Sequence, residues 1–367
     1  MLRLRSITLT QFKNYGFRQF VFPEQITAIT GRNGAGKSNL LDAVYYLCFS
    51  RSYFSGTDAG VVTYGHAGFR LEGQFERNGE STQVTVILRE NGKKELSVNG
   101  VPYDRFSLHI GRFPCVMIAP DDVELITGGS ELRRRYLDTL LSQTDPDYLQ
   151  QLIRHNRLLQ QRNSYLKQAA QERRRNDGLL DVLDVQLAET AAALYLVRCR
   201  HLPQLRQQVL DNYALIAGRP EPIEMTYESP LPTANPLELL RSQREKDYLL
   251  QRTTAGIHKD DLLLELQGHP FKTTASQGQR KSLLFGLKLA EAGLLQSANG
   301  FAPLLLLDDV FEKLDQQRMH NLLQHVCTGG TTQIFITDTH RPRMEAVFRE
   351  LGYPLGILEP GDVVADS

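Results

Sequence analysis

Gly31-Arg32-Asn33-Gly34-Ala35-Gly36-Lys37-Ser38 fits the pattern G-x-x-x-x-G-K-[ST], and its flanks restrict the folds that can hold it. Residues 25–30 are short, apolar and β-branched, as a buried strand is. Residues 39–47 repeat apolar side chains every three to four positions, as a helix does. Strand, glycine loop and helix in that order bring several backbone N–H groups and the positive end of a helix to one point. The spacing therefore predicts a nucleoside triphosphate site made by Gly31, Arg32, Asn33, Gly34, Ala35, Gly36, Lys37, Ser38 and Asn39. Lys37 would reach the β- and γ-phosphates, and the Ser38 hydroxyl would ligate Mg²⁺. The alternative is a glycine-rich turn with a solvated lysine.

A chain of 367 residues has room for two domains, or for one large domain with an insertion. Lys+Arg and Asp+Glu both number 42, so no whole-protein field attracts nucleic acid, and any such site has to be a local patch. Cys48, Cys115, Cys199 and Cys327 lack metal-ligand spacing and read as reduced thiols. No signal peptide opens the chain and no apolar run has the length of a membrane span, so a soluble cytoplasmic protein is expected.

Leu2, Leu4, Ile7 and Leu9, then Phe20 and Phe22, predict antiparallel strands before the loop. Between them, Phe12-Lys13-Asn14-Tyr15 is either a plain connection or a nucleotide contact. Residues 69–75, 83–89 and 94–98 predict an antiparallel meander with turns at Asn91-Gly92 and Asn99-Gly100. Pro120-Asp121-Asp122 ends a strand, and Arg133, Arg134 and Arg135 follow on a helix. From Leu149, a heptad runs through Leu152, Asn156, Leu159, Asn163, Leu166 and Ala170. A second runs through Leu180, Leu183, Leu187, Thr190, Leu194, Val197 and His201. The two predict an antiparallel hairpin about 30 Å long, broken near Pro203, with Arg173, Arg174 and Arg175 at its tip. Both arginine clusters are candidate DNA contacts, with a solvated, salt-bridged face as the alternative.

Ser276-Gln277-Gly278-Gln279 opens a second helix and is either an anion-binding terminus or an ordinary cap. Leu304 to Leu307 is an apolar strand ending in Asp308 and Asp309, where an α/β sheet places its ligands. Asp308 is assigned to Mg²⁺ and Asp309 to the attacking water, with Lys37 completing the catalytic set. Residues 333–337 predict another strand, and His340 just beyond it is a candidate γ-phosphate switch.

The glycine loop, Ser276–Gln279 and the Leu304–Asp309 strand, in this order, resemble the ABC-type ATPases of the SMC-like group. The likeness narrows to the RecF family through Phe12–Tyr15, residues 120–138, Gly256–Asp261, Ala275–Gln279 and Leu306–Asp315. It implies an α/β fold: an ABC-type P-loop head with a mixed central sheet and an antiparallel β subdomain, interrupted by a helical lobe with a short coiled-coil arm. The head would be residues 1–125 and 246–367, and the lobe 126–245. Also implied are ATP and Mg²⁺ as ligands, and a homodimer in which Ser276, Gln277, Gly278 and Gln279 close on the partner's nucleotide. The remaining implications are slow ATP turnover stimulated by DNA, binding to single- and double-stranded DNA and gap junctions, and cooperation with RecR in loading RecA. Glu312 stands where the family has serine, and Asp309 where most ABC ATPases have glutamate. Asp121 or Asp122 is left to serve for a Q-loop glutamine. Rival readings are a transporter ATPase subunit and a DNA clamp that binds ATP without hydrolysing it.

Overall fold

The computed structural model describes residues 1–173, 175–310, 315–328 and 330–361. Contacts divide the chain into two units: one of Met1–Asp122, Asp211–Pro220 and residues from Gln277 onward, the other of Val123–Leu210 and Glu221–Ser276.

The first unit begins with β1 (Leu2–Phe12), β2 (Tyr15–Val21), β3 (Ile26–Thr30) and α1 (Lys37–Phe49). It continues through β4 (Phe69–Arg77), β5 (Glu80–Leu88), β6 (Lys94–Val98), β7 (Val101–Pro102) and β8 (Cys115–Ile118). The expected meander forms one antiparallel sheet in the order β2-β1-β4-β5-β6-β7. Within β1 the buried positions are Leu2 and Leu4, then Ile7 and Leu9, and Phe12 at its end, so the two-residue period first breaks between Leu4 and Ile7. That break in the two-residue period is a bulge, where the pairing with β4 shifts between Leu4 and Ser6.

The second unit follows: α2 (Glu124–Thr127), α3 (Ser130–Thr144), α4 (Pro146–Glu172) and α5 (Asp177–Ala217), whose residues from Asp211 onward belong to the first unit. Then come β9 (Ile223–Glu228), α6 (Pro236–Ser242), α7 (Arg244–Leu250), β10 (Asp261–Leu266), β11 (His269–Pro270) and α8 (Phe271–Thr274). The chain returns to the first unit with α9 (Gln277–Asn299), β12 (Leu304–Leu307), α10 (Gln316–Cys327), β13 (Ile334–Asp338), α11 (Arg341–Leu351) and β14 (Gly356–Leu358).

In the first unit β14, β3, β13, β12 and β8 make a parallel sheet in that order. Its core joins side chains of this sheet, the antiparallel sheet and α1. Most residues of α1, including Leu40, Leu41, Val44, Tyr45 and Leu47, are buried, as suits a helix enclosed on all sides. The buried Gln333 side chain links the ends of the sheets, accepting from Leu4 N at 2.6 Å and donating to Leu4 O at 3.0 Å.

The second unit departs from expectation in three ways. First, the return to the head comes at α9 and not near residue 245. The reason is that β9 pairs with β10 from Ile223–Leu266 to Glu228–Asp261 and holds the intervening chain in this unit. Second, α5 runs on through Pro203 to Ala217. A proline there removes one backbone bond, but Leu205, Val209, Tyr213 and Ile216 beyond it are all buried at helical spacing and keep that face committed. Third, the seam of α4 lies one residue earlier than the leucine heptad predicts: Tyr148, His155, Arg162 and Ala169 are buried, whereas Asn156 is exposed. Tyr148 packs with Ala191 and Leu194, Leu158 with Leu187 and Ala188, and Leu166 and Ala169 with Leu180, so α4 and α5 are antiparallel. Leu240 of α6 and Tyr248 of α7 join those clusters, making the hairpin part of a helical body. With 27 residues, α4 is about 40 Å long.

Candidate nucleotide site

The glycine loop connects β3 to α1 as predicted, and its conformation explains its composition. Gly34 and Gly36 lie at φ 84° and 96°, a region that L side chains rarely adopt. A Cβ at Gly36 would come within 2.7 Å of both Asn14 Nδ2 and Tyr15 Oη. Helix α1 starts with no side-chain cap and no acidic residue of its own in the first turn, so its orphan N–H groups and the positive end of its dipole face the loop. Lys37 folds back over the loop and donates to Gly31 O at 2.8 Å and Arg32 O at 3.0 Å. Its ammonium is thus held at the concave face, on bonds that an anionic ligand can replace.

The start of α1, the end of β12 and β13 contribute the opposite wall. Ser38 Oγ donates to Asp308 Oδ1 at 2.9 Å, and Thr337 Oγ1 donates to the same oxygen at 2.7 Å. Thr337 also accepts from Asp309 N at 2.8 Å. The parallel pairing of β12 with β13 brings Thr337 beside the two acids. Asp308 is buried, and burial raises its carboxyl above the ordinary aspartate range against the opposing bonds from Thr337 and Ser38. Asp309 takes φ 51°, a left-handed conformation that turns the chain sharply after Asp308. A serine hydroxyl touching a buried carboxylate is an all-oxygen pair, suited to a hard divalent cation that keeps most of its own water.

Phe12–Tyr15 proves to be scaffold for this loop. Phe12 is in the core, Lys13 pairs with the buried Asp42 of α1, Asn14 Oδ1 accepts from Asn39 Nδ2 at 2.8 Å, and Tyr15 Oη donates to Gly36 O at 3.0 Å. Asp42 also accepts from Ser52 Oγ and Tyr53 N, each at 2.7 Å. Asn39, assigned to nucleotide by position, therefore has its amide engaged in holding the segment before the loop.

The family model described as RecF/RecN/SMC N terminal domain matches residues 3–353. The DNA replication and repair protein RecF of Flavobacterium johnsoniae is 37% identical over 95% of this chain and 97% of its own length. Its counterpart in Porphyromonas gingivalis strain ATCC 33277 is 38% identical over 98% and 99%. The chain belongs to the RecF family. A solved structure of the recombination mediator protein RecF with ATP, in the RecFOR pathway, superposes on this RecF-family chain with TM-score 0.85 at 29% identity. It covers 93% of this chain and 92% of that one. The Pyrococcus furiosus Smc head shares the fold, with TM-score 0.55 at 15% identity over 99% and 95% of the two chains.

The other residues singled out in this RecF-family sequence are placed as follows. Ser276 and Gln277 are exposed at the start of α9. Gly278 lies against Arg318 of α10, whose Nη1 would be 2.5 Å from a Cβ there and which donates to Ser282 Oγ at 3.1 Å. Gln279 is half-buried in the first turn. His340 presents an exposed ring bonded through Nδ1 to Thr339 Oγ1 at 2.8 Å, while the buried Asp338 is held by Arg343 at 2.6 and 3.0 Å.

Of the first arginine cluster, Arg133 makes a bidentate pair with Asp261 at 2.7 and 2.9 Å and donates to Gly128 O at 2.9 Å. Arg134 donates to Asp260 O at 2.6 Å, and Arg135 is exposed. The first two guanidinium groups therefore join α3 to the chain around β10. In the second cluster Arg173 is exposed, Arg175 pairs with Glu245 and covers the Tyr248 ring, and Arg174 lies outside the described residues, as does Glu312. No helix of the described residues is long and apolar enough to cross a membrane.

Proposed function

We propose that this protein is an ATP-dependent DNA-binding protein of recombinational repair that dimerises on ATP and hydrolyses it slowly, with DNA stimulating turnover. It would act with RecR in the RecFOR pathway to help load RecA at single-strand gaps. The observation that carries the ATP reading is the uncapped start of α1 facing a buried Asp308 already bonded to Ser38 and Thr337. The DNA-repair reading rests on relatives named DNA replication and repair protein and on the RecF–ATP structure.

In this reading the loop amides and Lys37 bind the β- and γ-phosphates, and Ser38 and Asp308 hold Mg²⁺, which when bound offsets phosphate charge. Asp309, aimed by its left-handed turn and its bond to Thr337, orients the attacking water. Ser276 and Gly278 cover the γ-phosphate of the partner subunit, so that one subunit cannot complete the site. Catalysis is then chiefly positioning and charge stabilisation. The expected result for Ser276→Arg is unchanged ATP affinity with loss of the ATP-dependent dimer in sedimentation. A dimer that persists would exclude the shared site. A pull-down that recovers an integral membrane protein would favour the transporter reading. Turnover that stays at zero with and without gapped DNA would favour a clamp.

The exposed arginines are the ones free to test for DNA. Arg135→Glu and Arg173→Glu are each expected to weaken binding about uniformly across sequences and to reduce the salt slope by about one. An affinity and slope equal to wild type would remove that position from the interface. Arg133 is unsuitable for this test, because its loss leaves Asp261 without its guanidinium.

A further inference from the structure

In the second unit two histidines on different elements have their hydrogen-bonding directions fixed by their neighbours. His155 lies on the buried row of α4, with Nδ1 2.9 Å from Thr190 Oγ1 of α5. The Thr190 hydroxyl donates to the carbonyls of Leu187 at 3.0 Å and Gln186 at 3.2 Å, so toward His155 it can only accept. His155 therefore carries its proton on Nδ1 and a lone pair on Nε2. His258, between α7 and β10, has Nε2 3.2 Å from Thr253 O, and a carbonyl accepts only. Its proton is on Nε2 and its lone pair on Nδ1. Both lone-pair nitrogens are buried, and neither has a hydrogen-bond partner among the described residues.

The two rings come together because residues 253–258 are laid along the same row of α4. At one end, Thr253 N donates to Asn163 Oδ1 at 2.7 Å, and the Thr253 hydroxyl accepts from Arg162 Nη1 at 2.9 Å. At the other, Arg198 Nη1 donates to Ile257 O at 3.3 Å while Arg198 Nε donates to Tyr148 Oη at 3.1 Å. His155 stands midway between Tyr148 and Arg162 on that row, beside the stretch that carries His258. Gly256 keeps the approach to His258 Nδ1 clear: its φ is 127°, and a Cβ there would stand 3.3 Å from that nitrogen. Burial, reinforced by His258 and Arg198, pushes His155 down to about 3. Burial, opposed by the bond to Thr253, pushes His258 down to about 4. Both rings are thus neutral at ordinary pH, and no proton competes for either lone pair.

We propose that His155 Nε2 and His258 Nδ1 form a two-coordinate site for a soft monovalent cation, copper(I). Each ring already donates its other N–H to an oxygen, the outer contact that aims metal-bound histidines. Neutral imidazole suits copper or zinc, and not the oxygen-seeking Mg²⁺ or Ca²⁺. Zinc takes four ligands, and no group of three or more His, Cys, Asp or Glu side chains is placed to hold a metal among the described residues. Arg198, the guanidinium that acts on His155, is itself paired with Asp138 at 2.8 Å and Asp260 at 3.4 Å, so one added charge meets little net repulsion. Lys259 and Arg134, which act on His258 against Asp247, weigh further against a divalent ion. The bound ion would fasten residues 253–258 to α4, a role independent of nucleotide.

The test is anaerobic titration of the full chain with copper(I) held by a chromogenic chelator, together with copper K-edge X-ray absorption at one equivalent. Wild type is expected to withdraw one copper whose neighbours are two nitrogens and no sulfur. Thr190→Val leaves both ligands in place and is expected to weaken binding about 10–100-fold, the usual cost of losing an outer contact. His155→Phe should abolish the nitrogen-bound equivalent. Sulfur neighbours would assign the copper to cysteine thiols and overturn the site. Affinities in Thr190→Val and His155→Phe equal to wild type would overturn it as well. So would a protein that withdraws no copper, in which case a buried water serves the two lone pairs. Should His155→Phe fail to fold, as judged by circular dichroism, the wild-type absorption spectrum and the Thr190→Val titration decide between these outcomes.

Discussion

Lys37→Met is expected to lower ATP affinity by a hundredfold or more while leaving the thermal unfolding of the protein close to wild type. Removing one charged partner of a desolvated pair typically costs about 2–5 kcal/mol, and about 2.7 kcal/mol is a hundredfold in Kd. A hundredfold is thus a lower bound, because α1 offers no side chain that could substitute: its first turn carries no other cation. The loss to the apo fold is small by comparison. Lys37 bonds two loop carbonyls at the surface of the site, and water can replace those bonds. Fluorescent-nucleotide titration beside a thermal melt checks both halves. An affinity within threefold of wild type would mean that the loop amides alone hold the phosphates, and the assignment of Lys37 would fall.

The legibility of that loop has a physical cause. Backbone amides that converge on an anion need glycine at left-handed φ, so Gly34 and Gly36 show in the sequence what they do in the structure. The acids Asp308 and Asp309 were legible for a related reason, since a wholly apolar strand that ends in two carboxylates has no packing use for them. Thr337 was not. It sits in an apolar strand and reads as an ordinary β-branched residue, and only the pairing of β12 with β13 reveals that it orders both acids. The Phe12–Tyr15 segment could be noticed but not interpreted, because its partners Gly36, Asn39 and Asp42 are reached through the fold. The boundary at α9 was hidden for the same reason, being set by the pairing of β9 with β10. In the helical unit, periodicity itself misled. Leu166 is buried as the heptad expects, but the heptad's row of Leu149, Asn156, Asn163 and Ala170 lies one residue late, because the true row, Tyr148, His155, Arg162 and Ala169, is mostly polar.

That row makes the second large prediction: Arg162→Met is expected to destabilise the protein by about 3–5 kcal/mol, the usual cost of removing one partner from a buried ion pair. Arg162 is fully buried, with Nε 2.7 Å from Asp184 Oδ1 and Nη1 2.7 Å from Asp247 Oδ2 and 2.9 Å from Thr253 Oγ1. It is the point where α4, α5 and α7 meet, and methionine fills much of the volume while supplying no charge. The two aspartates would suffer unequally. Asp184 retains Arg244, which donates to its Oδ2 at 2.9 and 2.7 Å. Asp247 retains only neutral side-chain and backbone donors of Thr254 among the described residues, at 2.6 and 2.8 Å. Most of the penalty should therefore sit on Asp247. Adding Asp247→Asn to Arg162→Met should recover a substantial part of the loss, whereas adding Asp184→Asn should recover little and leave Arg244 with Asp181 as its carboxylate partner. Urea unfolding of the three variants distinguishes this from a packing defect: if Asp247→Asn deepened the loss as much as Asp184→Asn, the cost would come from misfit of the methionine and not from an orphaned charge.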